Sequence, residues 1–318
     1  MCTAIVYRGN SRFFGRNLDL EFHYKENVVI TPRGYLFPFE KKPGLALIGV
    51  ATVSENYPLY YDAMNEAGLA MAGLNFPHSA YYAPEKQSKK CIAPYEFMPW
   101  VLRQFTSVAE AKEAIKKITI GNIPSPGFPQ SALHWILCDN TDCITIEQTK
   151  SGLHLYQNSV GVLTNEPPFP YQMTNLANYM HLTKTQPTNT LCPNTGLPLY
   201  SQGMGALGLP GDLSSVSRFV RAVYVSQNAK IYENEEAAIA QAFHILGTVK
   251  QTEGCVEVNE KLEKTIYTGI CNLEKGIYYY TTYENSQITA VHLYHEDLNA
   301  DGLYAYPLSY SQHIRMEN

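Results

Sequence analysis

Cys2, Arg16 and Asp19 place a thiol, a guanidinium and a carboxylate near one end of the chain, a set that suits nucleophilic catalysis by sulfur. Cys2 directly follows the initiator methionine. A side chain this small lets methionine aminopeptidase remove Met1, so the mature chain is expected to begin with a thiol and a free α-amine on one residue. An α-amine has an unperturbed pKa of about 7.7–8.0 and a thiol one of about 8.5. Near neutral pH the amine is therefore in part an unprotonated base beside a sulfur nucleophile, the arrangement by which a terminal amine activates its nucleophile. Position alone does not establish this. A cysteine in a first strand is also an ordinary buried residue.

The neighbours of Cys2 follow from a hairpin. Residues 3–7 and 12–17 read as strands around a Gly9-Asn10 turn signal. A three-residue loop Arg8-Gly9-Asn10 sets Tyr7 against Ser11 and Cys2 against Arg16; a two-residue Gly9-Asn10 turn sets Cys2 against Asn17. Either register delivers Arg16-Asn17-Leu18-Asp19 to the N-terminus. There the guanidinium favours a thiolate, and the carboxylate can hold an ammonium or accept its proton. The alternative is a plain surface ion pair between Arg16 and Asp19.

Further strands are expected over 28–31, 45–53 and 68–73, several apolar on both faces. A helix over 95–105 is broken by Pro99, and one over 107–118 starts on a Ser107/Glu110 capping box with Val108, Ala111, Ile115 and Ile118 as its core face. A loop rich in Pro and Gly (121–129) precedes strands over 133–138, 143–148, 153–156 and 160–164. Helices over 171–182, 216–227 and 235–246 and strands over 265–270, 277–283 and 288–293 complete the pattern. Strands and helices arrive in blocks, which argues for α+β layers and against a doubly wound sheet. No repeat interrupts the chain, and residues 1–318 read as a single domain.

A net charge of −5 without a basic block argues against a nucleic-acid surface. The seven cysteines form no CxxC pair and the nine histidines no HxxxH or HExxH pattern, so no metal and no cofactor is expected. The apolar run after Met1 ends at Arg8, too short for a secretory leader, and no transmembrane span is visible. Reduced thiols in a cytoplasmic protein are the corresponding expectation, with Cys138 and Cys143 as inert strand residues flanking a turn. His134 reads as a satisfied structural histidine within its strand. Gly208-Leu209-Pro210-Gly211-Asp212 lacks the Lys and the spacing of a phosphate loop and reads as a turn that sets Arg218 at the start of a helix.

Phe14-Gly15-Arg16-Asn17-Leu18-Asp19 and Thr31-Pro32-Arg33-Gly34-Tyr35 resemble the choloylglycine hydrolase family, the bile salt hydrolases and penicillin V acylases among the N-terminal nucleophile hydrolases. The likeness continues through Asn65-Glu66-Ala67-Gly68-Leu69, Ala72-Gly73-Leu74-Asn75-Phe76-Pro77 and Leu133-His134-Trp135. It extends to Gly161-Val162-Leu163-Thr164-Asn165, Ser217-Arg218-Phe219-Val220-Arg221 and Tyr280-Thr281-Thr282-Tyr283, all in the family's order.

The resemblance implies a four-layer αββα sandwich, two antiparallel sheets between helix layers, with the nucleophile opening a central strand. It implies Cys2 as nucleophile, flanked by Arg16 and Asp19, with Asn75 and Asn165 as oxyanion-region and substrate-positioning asparagines and Arg218 as a second site arginine. Asparagines suit the chemistry independently, because thiolate attack on an amide builds an oxyanion that needs fixed neutral donors. Taken locally, each is also a turn residue, Asn75 before Phe76-Pro77 and Asn165 before Pro167-Pro168. The expected substrates are glycine- or taurine-conjugated bile acids, bound by Leu20, Phe22, Tyr24 and Phe128, with Tyr57 to Tyr61 in a further loop. Penicillin V is the alternative substrate, and a silent binder of amphipathic acyl ligands the alternative class. A homo-oligomer, a homotetramer in the family, is implied as well. In the penicillin V acylase branch a Tyr often stands where this chain has Asn75.

Overall fold

The computed structural model describes residues 1–9, 11–82, 84, 90–125 and 130–318. Phe128 and Asn10 lie outside the described residues. Strand β1 (Cys2–Arg8) and strand β2 (Arg12–Leu20) form the middle of a six-stranded antiparallel sheet. Val162–Leu163 lies outside β1; Lys264–Asn272, Ile277–Thr282 and Thr289–His292 follow β2 in that order. Strands β1 and β2 are buried almost throughout, β2 together with its polar residues Arg12, Arg16, Asn17 and Asp19.

A second sheet of eight strands runs Gly152–Gln157, Cys143–Thr149, Leu133–Cys138, Ala70–Asn75, Tyr57–Asn65, Leu47–Ser54, Asn27–Thr31 and Tyr304–Pro307. Helices Pro94–Leu102 and Val108–Ile115 bury a cluster that includes Phe97, Trp100 and Trp135 against it. Helices Ser215–Asn228 and Glu235–Gly247 lie on the other side, against β1, β2 and their neighbours, and helix Phe169–Leu176 packs on Ser215–Asn228. The resulting order of layers is αββα.

Several sequence expectations are corrected. Tyr57–Asn65 is a strand, not a loop: it pairs with Leu47–Ser54 through a two-residue Glu55-Asn56 turn in which both residues have positive φ, 48° and 62°. The usual glycine of such a turn is missing, which hid the hairpin. Pro99 does not break its helix. Seven of the nine residues of Pro94–Leu102 are buried, and that packing outweighs one lost backbone hydrogen bond. Cys138 and Cys143 are not two separate thiols: the turn 139–142 brings them opposite each other with Cα atoms 4.1 Å apart, and their sulfurs are joined.

Candidate active site

The β1–β2 hairpin is offset from both expected registers, by two residues from the first and by one from the second. Arg8 pairs with Arg12, so Cys2 faces Leu18, neither Arg16 nor Asn17. The loop does hold three residues, but they are 9–11, closed by the Gly9 N–H on the Ser11 carbonyl. Side chains alternate along a strand, so Arg16 and Leu18 share a face with Cys2, while Asn17 and Asp19 point the other way. The contacts follow this division. Arg16 donates to the carbonyls of Tyr61 and Gly73 in the neighbouring sheet, and Asn17 to that of Leu246 in the helix layer.

Arg16 is fully buried, and its Nη2 lies 2.8 Å from Cys2 Sγ. Burial works against its charge, but the thiol, Tyr267 and Asp62 outweigh that and hold the guanidinium above its ordinary range. Asp19 is buried beside the terminus, its Oδ1 accepting from Thr265 Oγ1 at 2.6 Å, its Oδ2 without a partner among the described residues. Burial pushes this carboxyl up, against the pull of the terminal ammonium and Arg218. With both groups buried, Arg16 and Asp19 are not a surface ion pair. The Met1 ammonium contacts the Asp19 carbonyl (2.9 Å) and Glu263 Oε1 (2.5 Å).

The chain brings two distant residues to the same place. Cys2 N–H donates to Asn165 Oδ1 at 2.8 Å, and Asn165 Nδ2 donates to the Asn75 carbonyl at 2.9 Å. Asn165 follows the edge strand Val162–Leu163, which pairs with β1 and so carries it to the strand end. Arg218 enters from the helix Ser215–Asn228, whose N-cap is Ser214. Its Nη2 donates to Asn165 Oδ1 at 2.8 Å.

A cavity of about 420 Å³ opens over the thiol, lined by Cys2, Arg16, Asn75 and a mostly apolar wall that includes Leu18, Leu20, Tyr24, Leu59, Met98 and Trp135. Asn75, at the end of Ala70–Asn75, keeps its side chain exposed there, without a hydrogen bond to any described residue. Leu20 and Tyr24 line this cavity, but Phe22 does not. It is 44% exposed and packs on the Tyr24 ring from outside, 4.7 Å between centroids, because it lies beyond the strand end in a bend. His134 is buried between Glu147 (3.1 Å) and the Thr164 carbonyl (3.0 Å) and stacks on Phe76, away from the thiol's contacts. Residue patterns missed Asp62, Tyr267, Tyr278, Thr265 and Glu263. No local signal marks them, because their importance lies in contacts with the first strands.

Two antiparallel sheets between helices, with a cysteine opening a central strand, define the class: the N-terminal nucleophile hydrolase fold. The family described as linear amide C–N hydrolases, choloylglycine hydrolase family, matches residues 2–306. A bile salt hydrolase/transferase of Lactiplantibacillus plantarum is 49% identical over 314 residues, 97% of each chain. One from Clostridium perfringens is 38% identical over 96% of each. The crystal structure of a cysteine-to-alanine mutant of the conjugated bile acid hydrolase from Clostridium perfringens superposes with a TM-score of 0.92 over 100% of both chains, at 36% identity. A penicillin V acylase from Agrobacterium tumefaciens shares the fold, with a TM-score of 0.76 at 21% identity over 96% of this chain and 90% of its own. The chain belongs to the choloylglycine hydrolase family.

Among the described residues no cluster of three or more His, Cys, Asp or Glu side chains is arranged to hold a metal, and no helix is long and apolar enough to cross a membrane.

Proposed function

We propose that this protein is a bile salt hydrolase, cleaving the amide that joins a steroid carboxyl to glycine or taurine with Cys2 as nucleophile. The observation that carries the reading is the Cys2 sulfur, 2.8 Å from a buried guanidinium, at one wall of an apolar cavity of about 420 Å³. Cavities of about 300–1,000 Å³ with few polar groups suit amphipathic small molecules. The 49% identical relative is named for bile salts, which fit such walls.

Removal of Met1 turns the Cys2 nitrogen from an amide into an amine. Asn165 Oδ1 already accepts from that nitrogen, and Asp19 Oδ2 is a buried acceptor with no partner among the described residues. The amine takes the thiol proton, and Sγ bonds to the amide carbonyl carbon. The Asn75 side chain lines the cavity and is a donor available for the oxyanion, whereas Asn165 is not among the lining residues, gives one Nδ2 hydrogen to the Asn75 carbonyl and acts by positioning. As the C–N bond breaks, the α-ammonium gives its proton to the departing glycine or taurine nitrogen. Water then attacks the thioester carbonyl and gives one proton to the α-amine. The C–S bond breaks, and the steroid acid and the thiolate are released. Leu20 and Tyr24 are the substrate contacts in this reading, joined by Phe128. The same proposal takes the chain as one cytoplasmic domain that assembles as a homo-oligomer, a homotetramer at its finest; fractionation and light scattering test it.

The decisive experiment assays glycocholate, taurocholate and penicillin V on protein whose N-terminal residue is read by mass spectrometry. Cleavage of the conjugated bile salts by chains beginning at Cys2, abolished in Cys2→Ser, is the expected result. Full turnover by chains that retain Met1 overturns the amine-base mechanism. Preference for penicillin V overturns the substrate, and binding without cleavage returns the silent-binder reading.

A further inference from the structure

Arg16 has a second neighbour besides the thiol. Asp62 Oδ1 lies 4.0 Å from Arg16 Nε, and the carboxylate is 1% exposed. It accepts two phenolic hydrogens: Tyr267 donates to Oδ1, and Tyr278 to Oδ2 at 2.6 Å. Asp62 comes from the eight-stranded sheet and both tyrosines from the six-stranded one, so the cluster spans the sheet interface exactly under the nucleophile's arginine. Room for it is built in: a Cβ at Gly269 would lie 2.0 Å from the Tyr278 hydroxyl.

A buried carboxylate with two donors and a guanidinium at its edge has what an ionised group needs. Burial still pushes the Asp62 carboxyl up, against Arg16 and the two phenols. Tyr267 and Tyr278 are pushed far above the ordinary phenol range, first by burial, so both stay hydrogen donors.

We propose that Asp62, held by Tyr267 and Tyr278, is a positioning residue that fixes Arg16 and cancels part of its charge, keeping the Cys2 thiolate strongly nucleophilic. An unopposed guanidinium in van der Waals contact with sulfur stabilises the thiolate beyond need, and thiolates of more acidic thiols attack more slowly. Beyond its direct partners Asp62 faces Cys271; Tyr61 faces Tyr267 and Arg16, Asp19 is a second buried carboxyl that feels Arg16, and the thiol faces Arg16 and Arg218. Asp19 points to the opposite face of β2, and among the described residues Asp62 is the carboxylate found within 4.0 Å of the Arg16 guanidinium.

The inference rests on Cys2 being the proposed nucleophile, but its test does not require glycocholate to be the substrate. Alkylation of Cys2 by iodoacetamide is followed against pH by mass spectrometry of the N-terminal peptide. In Asp62→Asn, which can keep a hydrogen bond to each phenol, the midpoint should fall by about one pH unit or more. The limiting rate at high pH should drop about threefold. An unchanged midpoint in folded Asp62→Asn means that Asp62 places no charge on the site, and the proposal fails. Should that variant fold poorly, Arg16→Gln and Arg16→Gln/Asp62→Asn give the same comparison without an unopposed arginine. The double variant should titrate at lower pH than the single one, and equal midpoints overturn the proposal. Loss of bile salt cleavage in every protein, wild type included, speaks against the substrate and leaves this comparison intact.

Discussion

Arg218 Nη1 lies 2.6 Å from the carbonyl oxygen of Cys2, although 216 residues separate the two. The same nitrogen donates to Thr3 Oγ1 at 2.6 Å, Nη2 to Asn165 Oδ1 at 2.8 Å, and Nε to the Leu213 carbonyl at 3.0 Å. One buried guanidinium thus holds the Cys2 backbone, the Thr3 side chain and the asparagine that binds the Cys2 nitrogen. Burial pushes Arg218 down, and the charges of Asp19, Cys2 and Glu263 push it back.

Arg218→Lys is therefore expected to be a severe change. An ammonium is a compact point charge and cannot reproduce a planar fork that serves four acceptors. Two or more acceptors lose their donor in a buried site, at about 1–3 kcal/mol each. We expect kcat/KM for glycocholate to fall about 100-fold, with a lower melting temperature. Wild-type kcat/KM in this variant would remove Arg218 from the machinery.

Asn165 is tied into the protein at both ends of its amide, Oδ1 accepting from Cys2 and Arg218 and Nδ2 donating one hydrogen to the Asn75 carbonyl. Asn165→Asp keeps the acceptor but sets a carboxylate oxygen against the Asn75 carbonyl in place of the donor. The expected effect is a loss in kcat with little change in KM, since Asn165 orients the nucleophile and does not line the cavity. A rise in KM at constant kcat would make it a substrate contact instead.

Residues that act over short sequence distances were legible; the rest were not. The hairpin of β1 and β2 follows from two apolar runs around Gly9-Asn10, yet its register slipped because Ser11 belongs to the loop. The slip against Arg16 moves the partner by two residues and keeps the face, so Arg16 still reaches the thiol. Asp19 is brought to the terminus too, but from the opposite face, which a spacing argument does not separate. Tyr57–Asn65 was lost because Glu55-Asn56 adopts a left-handed turn without glycine, and Asp62 was lost with it. Asn165 and Arg218 meet Cys2 only across 163 and 216 residues of sequence, so only the family's ordered blocks pointed to them.

Acid should weaken the anchorage of the Arg218 helix through Asp212. Ser217 Oγ donates to its Oδ2 at 2.5 Å and the Ser214 N–H to its Oδ1 at 3.0 Å, and these bonds lower the carboxyl to about 2. An unfolded Asp titrates at about 3.9, so the folded value is depressed. Its contribution is fully present above about pH 4 and is lost as the pH falls towards the folded value. The melting-temperature gap between wild type and Asp212→Asn should therefore narrow between pH 6 and pH 2.5. A constant gap would show that the hydrogen bonds do not depend on the charge.

Asn75 offers the sharpest test of substrate choice. Its carbonyl is fixed by Asn165 Nδ2, which holds the strand end in place, while its side chain is left exposed at the wall that also carries Cys2 and Arg16. A short amide there can donate to a developing oxyanion and leaves the apolar wall clear for a steroid. Asn75→Ala removes the donor alone. By comparison with other oxyanion donors, this should lower kcat by about 10²- to 10³-fold. Asn75→Tyr replaces the amide with a ring that narrows the cavity and offers a stacking face to a phenoxyacetyl group. Its ratio of kcat/KM for penicillin V to that for glycocholate should rise well above the wild-type value. If Asn75 serves only as the turn into Phe76-Pro77, both variants lose stability together and the ratio stays where it was. A ratio unmoved in folded Asn75→Tyr would transfer the control of substrate choice to the wall formed by Leu20 and Tyr24.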